Sequence, residues 1–423
     1  MESRWRDLGR LTAASRELTT VSARALRRRR RGDPWTEAVA EELRHGFERL
    51  GPTYTKLGQM VASSPALFPP WLVDGMQGCL DRVRPLPVAT VLRVIEAELG
   101  APASELFARF EPVPLASASI GQVHAATTTD GHDVVVKVQR PGIVPLIQAD
   151  IRLLADVASF AERWSRHARL VQPRATVEDF AATLSDELSF MVEARAMEAV
   201  TSALADFAHA DRLRVPEVHW RWTTPRVLTM ERVDGVRLDD VDALVAQGVD
   251  PAETLKTTVR GWLHGILVHG VFHGDLHAGN LLVDRDGRVV FLDFGICGRL
   301  TDDARRSLLV ALPAILARDF DAVTAAVFSP LEEEHTVDRA AVARDLAASL
   351  TPVLDAPIGE VSYAQAFVEV VRVGLRHGVL LPRDLLLVFK QFFYVERYTR
   401  LLAPGWQPLT DAELLADIVA VTA

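Results

Sequence analysis

Residues 275–295 read "DLHAGNLLVDRDGRVVFLDFG", a stretch that leaves few folds open. Two apolar runs flank Asp286-Gly287, a dipeptide that signals a tight hairpin turn. Asp275 and Asn280, five apart, precede the hairpin, and Asp293, followed by Phe and Gly, closes it. The D-x-x-x-x-N spacing suits a loop in which Asp handles an acceptor proton while Asn holds a metal ion. Asp293, at the end of an apolar strand, suits a Mg²⁺ ligand bridging nucleotide phosphates, because Mg²⁺ takes few hard oxygens from protein and the rest from phosphate and water. A competing reading makes His273, Asp275 and His277, at alternating positions, metal ligands on one face of a strand. It leaves Asn280, Asp293 and Lys137 without a role, so the histidines read better as a loop brace and a partly buried hydrogen-bonding group.

Upstream, "VVVK" ends a strand at Lys137, where an ammonium suits phosphate contact and pairing with a glutamate of a following helix; Glu193 in "ELSFMVEA" is the candidate. The chain has only four lysines, Lys56, Lys137, Lys256 and Lys390, among 47 basic residues, and a sequence that otherwise prefers Arg uses the compact ammonium here. "ASASIGQV", residues 116–123, overlays G-x-G-x-x-G-x-V with Ala116 and Ala118 on the first two glycines and Gly121 on the third. Together with Ser119 and Val123 these residues form the candidate nucleotide loop, stiffened by the added Cβ atoms. Met230, Glu231 and Val233 in "TMERV" are expected to present backbone to adenine. Beyond Asp293 helical sequence resumes near Thr301 and no A-P-E occurs, so little platform exists for a peptide substrate.

The hydrophobic fraction of 49% supports a buried core, and no apolar run reaches membrane-spanning length. With no transmembrane segment, no secretory signal and only Cys79 and Cys297, both expected as reduced thiols, the expected location is cytoplasmic, with peripheral membrane attachment as an option. Ten arginines against three acidic residues give positions 1–32 a charge of +7, so the rest of the chain carries −16 of the total −9. Trp5, Leu8, Leu11, Leu18 and Val21 recur at roughly helical spacing. This arm reads as an amphipathic helix for an anionic membrane or as a disordered basic tail, and no nucleic acid is expected as partner. Helical patterns follow from 33 to 110, with Asp33 as N-cap, and one continuous helix is expected over about 176–208.

These motifs resemble the UbiB/ABC1 (AarF) atypical kinase-like family over about 45–300: "KLGQ" at Lys56–Gln59, the alanine-rich loop, Lys137, "ELSFMVEA", "TMERVDG", "HGDLHAGN" and "DFG". The resemblance implies a link to isoprenoid-quinone or lipid biosynthesis and its proteins. It implies a K-x-G-Q helix over the nucleotide site, with Lys56, Gln59 and Glu187 regulatory and Ser189 standing where the family's E-x-D motif has its Asp. The expected fold is α+β, protein-kinase-like and two-lobed: a basic arm (1–32), a helical extension (33–110), an N-lobe with a helical insert (111–233) and a helical C-lobe (234–423). The expected ligand is Mg-ATP or Mg-ADP between lobes, served by Lys137 and Glu193, by Asn280 and Asp293 on the metal, and by Asp275 as base or water-positioning group. An ATPase or a restricted phosphotransferase is the leading expectation. A small-molecule phosphotransferase, a protein kinase and a non-catalytic nucleotide scaffold are the alternatives.

Overall fold

The computed structural model describes residues 2–62, 68–79, 83–164, 173–328, 338–355, 362–378, 381, 383–408 and 411–422. The chain divides into two compact units: Met1–Val192 with Val218–Arg232, and Glu193–Glu217 with Val233–Ala423.

In the first unit, α1 (Glu2–Arg30), α2 (Trp35–Leu50), α3 (Pro52–Ala62), α4 (Pro70–Met76), α5 (Val88–Leu99) and a short α6 (Ala103–Leu106) precede the sheet. Gly100 ends α5 in the left-handed conformation that a residue with Cβ resists. Asp33 does not cap α2. Pro34 takes that position without a side-chain cap, because Arg28 holds the Asp33 carboxylate at 2.7 Å. Helix α1 packs on α2 and on α7 (Ile143–Trp164), burying Val21 and Ala25. Arg10 of α1 donates to both carboxylate oxygens of fully buried Asp150 in α7 and to the Leu50 carbonyl, while Thr53 Oγ1 reaches the same carboxylate at 2.7 Å. The side chain of Trp5 lies outside the described residues.

The sheet of this unit runs β1 (Phe107–Phe110), β3 (Gly121–Thr128), β4 (Asp133–Gln139), β6 (Val227–Glu231), with β2 (Ala116–Ser117) beside β3; all its pairings are antiparallel. Alternation along β4 buries Val134, Val136 and Val138 against Val91, Val94 and Ile95 of α5. Lys137 therefore points to the other face. Helix α8 (Pro173–Glu187) completes the insert, and α9 (Phe190–Leu204) starts after a break at Leu188-Ser189. The continuous helix expected over 176–208 is thus two helices, with Glu187 ending one and Glu193 in the first turn of the next.

The second unit holds β5 (Leu213–Arg214), β10 (Val289–Phe291), β9 (Leu281–Asp284) and β7 (Gly235–Arg237) in that spatial order, and a β8 (Val271–His273) and β11 (Cys297–Arg299) pair. Asp250 caps α11 (Pro251–His264), which follows a short α10 (Val241–Ala246) and runs into a wider π turn, Gly265–His269. The rest is helical: α12 (Asp302–Leu316), α13 (Phe320–Phe328), α14 (Arg339–Leu354), α15 (Tyr363–Arg376), α16 (Arg383–Leu402) and α17 (Ala412–Thr422). Among the described residues no helix is long and apolar enough to cross a membrane.

Candidate active site

In the first unit, "ASASIGQV" folds as a closed turn between β2 and β3. The Ala118 N–H donates to the Gly121 carbonyl at 2.8 Å, and Arg140 grips the loop from β4's end through the Ala118 carbonyl (2.9 Å) and Ser117 Oγ (2.8 Å). Gly121 is required by contact: a Cβ there would lie 2.8 Å from the Val138 carbonyl oxygen. Ser119 is buried, Ala116 exposed, and Val123 stands opposite Lys137 across the β3–β4 ladder. Lys137 Nζ sits 5.3 Å from the ring centroid of buried Phe190, a contact of the cation–π type. Met230 lies opposite Val135 in β4 and Val218 in an isolated bridge, and Glu231 opposite Val134.

The "KLGQ" helix α3 joins this loop through a shared core. Leu57 and Met60 pack with Ile120 at the loop tip and with Ile147, Phe180 and Leu184. A Cβ on Gly58 would meet Cys79 Sγ at 2.7 Å, so the glycine in this motif lets α3 seat against the end of the α4 segment. Lys56 Nζ pairs with Glu187 Oε2 at 2.8 Å, and Gln59 is half-buried on the same helix. Two of the three regulatory candidates, Lys56 and Glu187, therefore meet, and Ser189 stands in the break just beyond.

In the second unit, the loop that carries Asp275 and Asn280 is braced by His273. This imidazole is buried, its Nε2–H donates to the Leu292 carbonyl at 2.8 Å, and its Nδ1 accepts the Asp275 N–H at 3.2 Å. Burial holds its pKa below the ordinary histidine value. The neutral ring thus ties Asp275 to the residue just before Asp293. Phe294 packs edge-on against that ring at 4.9 Å. Asn280 Nδ2 donates to Asp275 Oδ2 and to its carbonyl, both at 3.1 Å, which fixes the amide's orientation. Asp293 has φ of 53°, a strained left-handed value for a residue with Cβ. His277 is exposed and accepts the Gly279 N–H at 3.0 Å as a local cap. His273 is the expected loop brace, whereas His277 is exposed rather than partly buried and bonds only within the loop, to the Gly279 N–H.

Glu193 is buried. The Cys297 thiol is pushed up to about 12, first by burial and then by the charge of Glu193, with Asp293 contributing, so it is an inert thiol beside two carboxylates. From Gly295 the chain passes through β11, paired with β8, straight to the Thr301 cap of α12.

Helix α16 was not singled out from the sequence, and it clamps the loop. Gln391, fully buried, accepts the Leu276 N–H at 2.9 Å and donates to the Gly274 carbonyl at 2.6 Å. Tyr398 Oη donates to the Leu276 carbonyl at 2.7 Å, and Lys390 Nζ lies 3.8 Å from Asp275 Oδ1. The Tyr394 hydroxyl is pushed up to about 12 by burial and by the nearby Asp275 charge. The only prior signal was the rarity of lysine, which flags Lys390 as strongly as Lys137.

A strand-borne lysine, an alanine-bearing phosphate-type loop, an HGD loop with its Asn and a strained D-F-G aspartate define a protein-kinase-like α+β protein without an activation segment. Residues 78–327 match the ABC1 atypical kinase-like domain and residues 346–407 the UbiB helical domain. The chain belongs to the ABC1 atypical kinase-like family. It is 42% identical to the Mycobacterium tuberculosis protein Rv0647c, over 96% of this chain and 84% of that one. It is 34% identical to an Arabidopsis thaliana chloroplastic aarF domain-containing protein kinase, At5g05200, over 88% of this chain and 73% of the relative. The solved Rv3197–erythromycin complex from Mycobacterium tuberculosis has the same fold, with a TM-score of 0.52 and 22% identity over 84% of this chain and 93% of that one.

Proposed function

We propose that this protein binds Mg-ATP or Mg-ADP and hydrolyses ATP, or transfers its terminal phosphoryl group to a restricted acceptor, in support of isoprenoid-quinone or lipid biosynthesis. The observation that carries this reading is His273, which links Asp275 to the strand end at Asp293 through its two ring nitrogens. The donor set fits Mg²⁺: the Asp293 carboxylate and the Asn280 amide oxygen are hard ligands, and nucleotide phosphates supply others. Bound Mg²⁺ would neutralise charge on the phosphates. Asp275 would orient water or an acceptor hydroxyl, with Lys390 fixing its carboxylate, while Lys137 would meet phosphate and pair with Glu193. The Met230–Val233 backbone is proposed for adenine, and Lys56, Gln59 and Glu187 for control of the alanine-bearing loop.

An ATPase assay beside a fluorescent-ADP binding assay tests this. Asp293→Asn should weaken Mg²⁺-dependent binding, and Asp275→Asn should keep binding while lowering turnover by about 10²–10⁴. Binding without turnover in wild type would favour the scaffold reading. Peripheral attachment to an anionic membrane is proposed for α1: Leu8, Leu11, Leu18 and Leu26 are exposed and fall on one stripe of a helix rich in arginine. Flotation with anionic vesicles, abolished by Leu11→Asp with Leu18→Asp, is the expected result.

A further inference from the structure

A second polar cluster lies in the C-terminal unit at the end of α11. His264 Nε2 and His269 Nε2 each stand 2.9 Å from the same oxygen, Oδ1 of Asp206, just beyond α9. In an α-helix residues five apart point well away from each other. Here the π turn, closed by the Gly270 N–H on the Gly265 carbonyl, sets His269 edge-on to His264 with ring centroids 5.5 Å apart. Such turns interrupt regular helix and recur at functional sites. A single imidazole would suffice to hold Asp206; this geometry converges two on one point.

We propose that Asp206, His264 and His269 form a binding site for a borderline-soft divalent ion of the zinc class, separate from the Mg²⁺ ligands of the candidate active site. The three ligand atoms lie within 4.8 Å of one another. Tetrahedral Zn²⁺ with bonds of about 2.0–2.1 Å holds its ligands roughly 3.3 Å apart. The two 2.9 Å separations need open by only about 0.4 Å. Two imidazoles and one carboxylate suit zinc better than Mg²⁺, which prefers oxygen alone.

The surroundings suit an ion. Side-chain exposures of 59% for Asp206, 19% for His264 and 32% for His269 leave an entry path and room for water as a fourth ligand. Buried Phe207 packs on the His264 ring at 5.5 Å and orients it. The site is at a helix C-terminus, whose carbonyl end favours a cation. Asp206 follows α9, which carries Glu193 in its first turn, and His269 lies just before β8 and Asp275. An ion held here would clip the Glu193 helix to the strand that feeds the catalytic loop.

The test uses the full chain stripped with EDTA, then titrated with Zn²⁺ against a chromophoric chelator and with Co²⁺ as a visible-absorbing probe. Wild type and Asp293→Asn should each take one Zn²⁺ per chain, and Co²⁺ should give the absorption of a low-coordinate site with nitrogen ligands. His269→Ala and the near-isosteric Asp206→Asn should weaken Zn²⁺ by more than about 100-fold, beyond what changes outside the ligand set cost. Zn²⁺ should raise the melting temperature of wild type and leave that of His269→Ala unchanged. No Zn²⁺ binding by wild type at micromolar concentration, or wild-type affinity in both variants, would overturn the proposal.

Discussion

At the scale of single residues, His273 shows how much one buried side chain can organise. Its ring is neutral because burial disfavours the imidazolium and because Nδ1 must accept from Asp275. The unfolded chain takes up a proton near pH 6.5, while the folded chain resists until lower pH. The stability it contributes is therefore complete above about 6.5 and declines as pH falls toward the depressed folded value, at up to about 1.4 kcal/mol per pH unit. His124, also buried and also held low, adds to the same decline. We expect His273→Gln to be less stable than wild type at pH 7.5 and to close that gap by pH 5.5, read from urea midpoints at both values. A gap that stays constant with pH would count against the neutral brace. Gly58 makes a steric prediction: Gly58→Ala should cost about 1–3 kcal/mol, and Cys79→Ala in the same chain should recover much of it by removing the sulfur 2.7 Å from the new Cβ. Unfolding curves of the single and double variants decide whether the two effects are coupled.

At the scale of elements, α16 was the missed contributor. Its hydropathy reads as an ordinary core helix, and Lys390, Gln391, Tyr394 and Tyr398 are polar positions that any partly buried helix might carry. Their role appears only because residues more than a hundred positions earlier come to lie beneath them. Gln391→Leu is isosteric enough to pack but leaves the Leu276 N–H and the Gly274 carbonyl buried without their partner. A loss of about 2–4 kcal/mol is expected, and the proposed ATPase turnover should fall as the loop loses its clamp. Unaltered stability and turnover would remove α16 from the site. The break between α8 and α9 has the opposite lesson. "DELSFMVEA" is compatible with continuous helix by propensity, yet the chain turns at Leu188-Ser189, where Gln139 of β4 donates to the Leu188 carbonyl at 2.7 Å and Phe190 is fully buried. Tertiary contacts override a weak local preference.

At the scale of the whole molecule, the basic arm has two faces. One is internal to its unit: Arg10 neutralises fully buried Asp150, Arg49 pairs with Glu17 at 2.9 Å, and Arg152 with Asp7 at 2.7 Å. The other carries the exposed leucines proposed for a membrane. Arg10→Ala should leave a buried carboxylate with Thr53 as its remaining hydroxyl partner and cost about 3–5 kcal/mol, measured by urea unfolding followed by circular dichroism. Pairing it with Asp150→Ala should restore part of the loss. An arm that contributed nothing to its unit would show no change in either variant.

The placement of the candidate residues Asp275, Asn280 and Asp293 about a hairpin was legible in the sequence because turn chemistry and strand alternation are local properties, each set within a few residues. So were the strand position of Lys137 and the odd glycine of the alanine-bearing loop, although the reason for Gly121, a carbonyl from the neighbouring strand, was not. What only the tertiary structure decided are meetings between distant positions: Lys56 with Glu187, Lys390 and Gln391 with the loop of Asp275, Arg10 with Asp150, and Asp206 with two histidines that a π turn brings onto one face. Periodicity states which side of an element is buried. It does not state what waits on that side, because packing depends on the path of the entire chain.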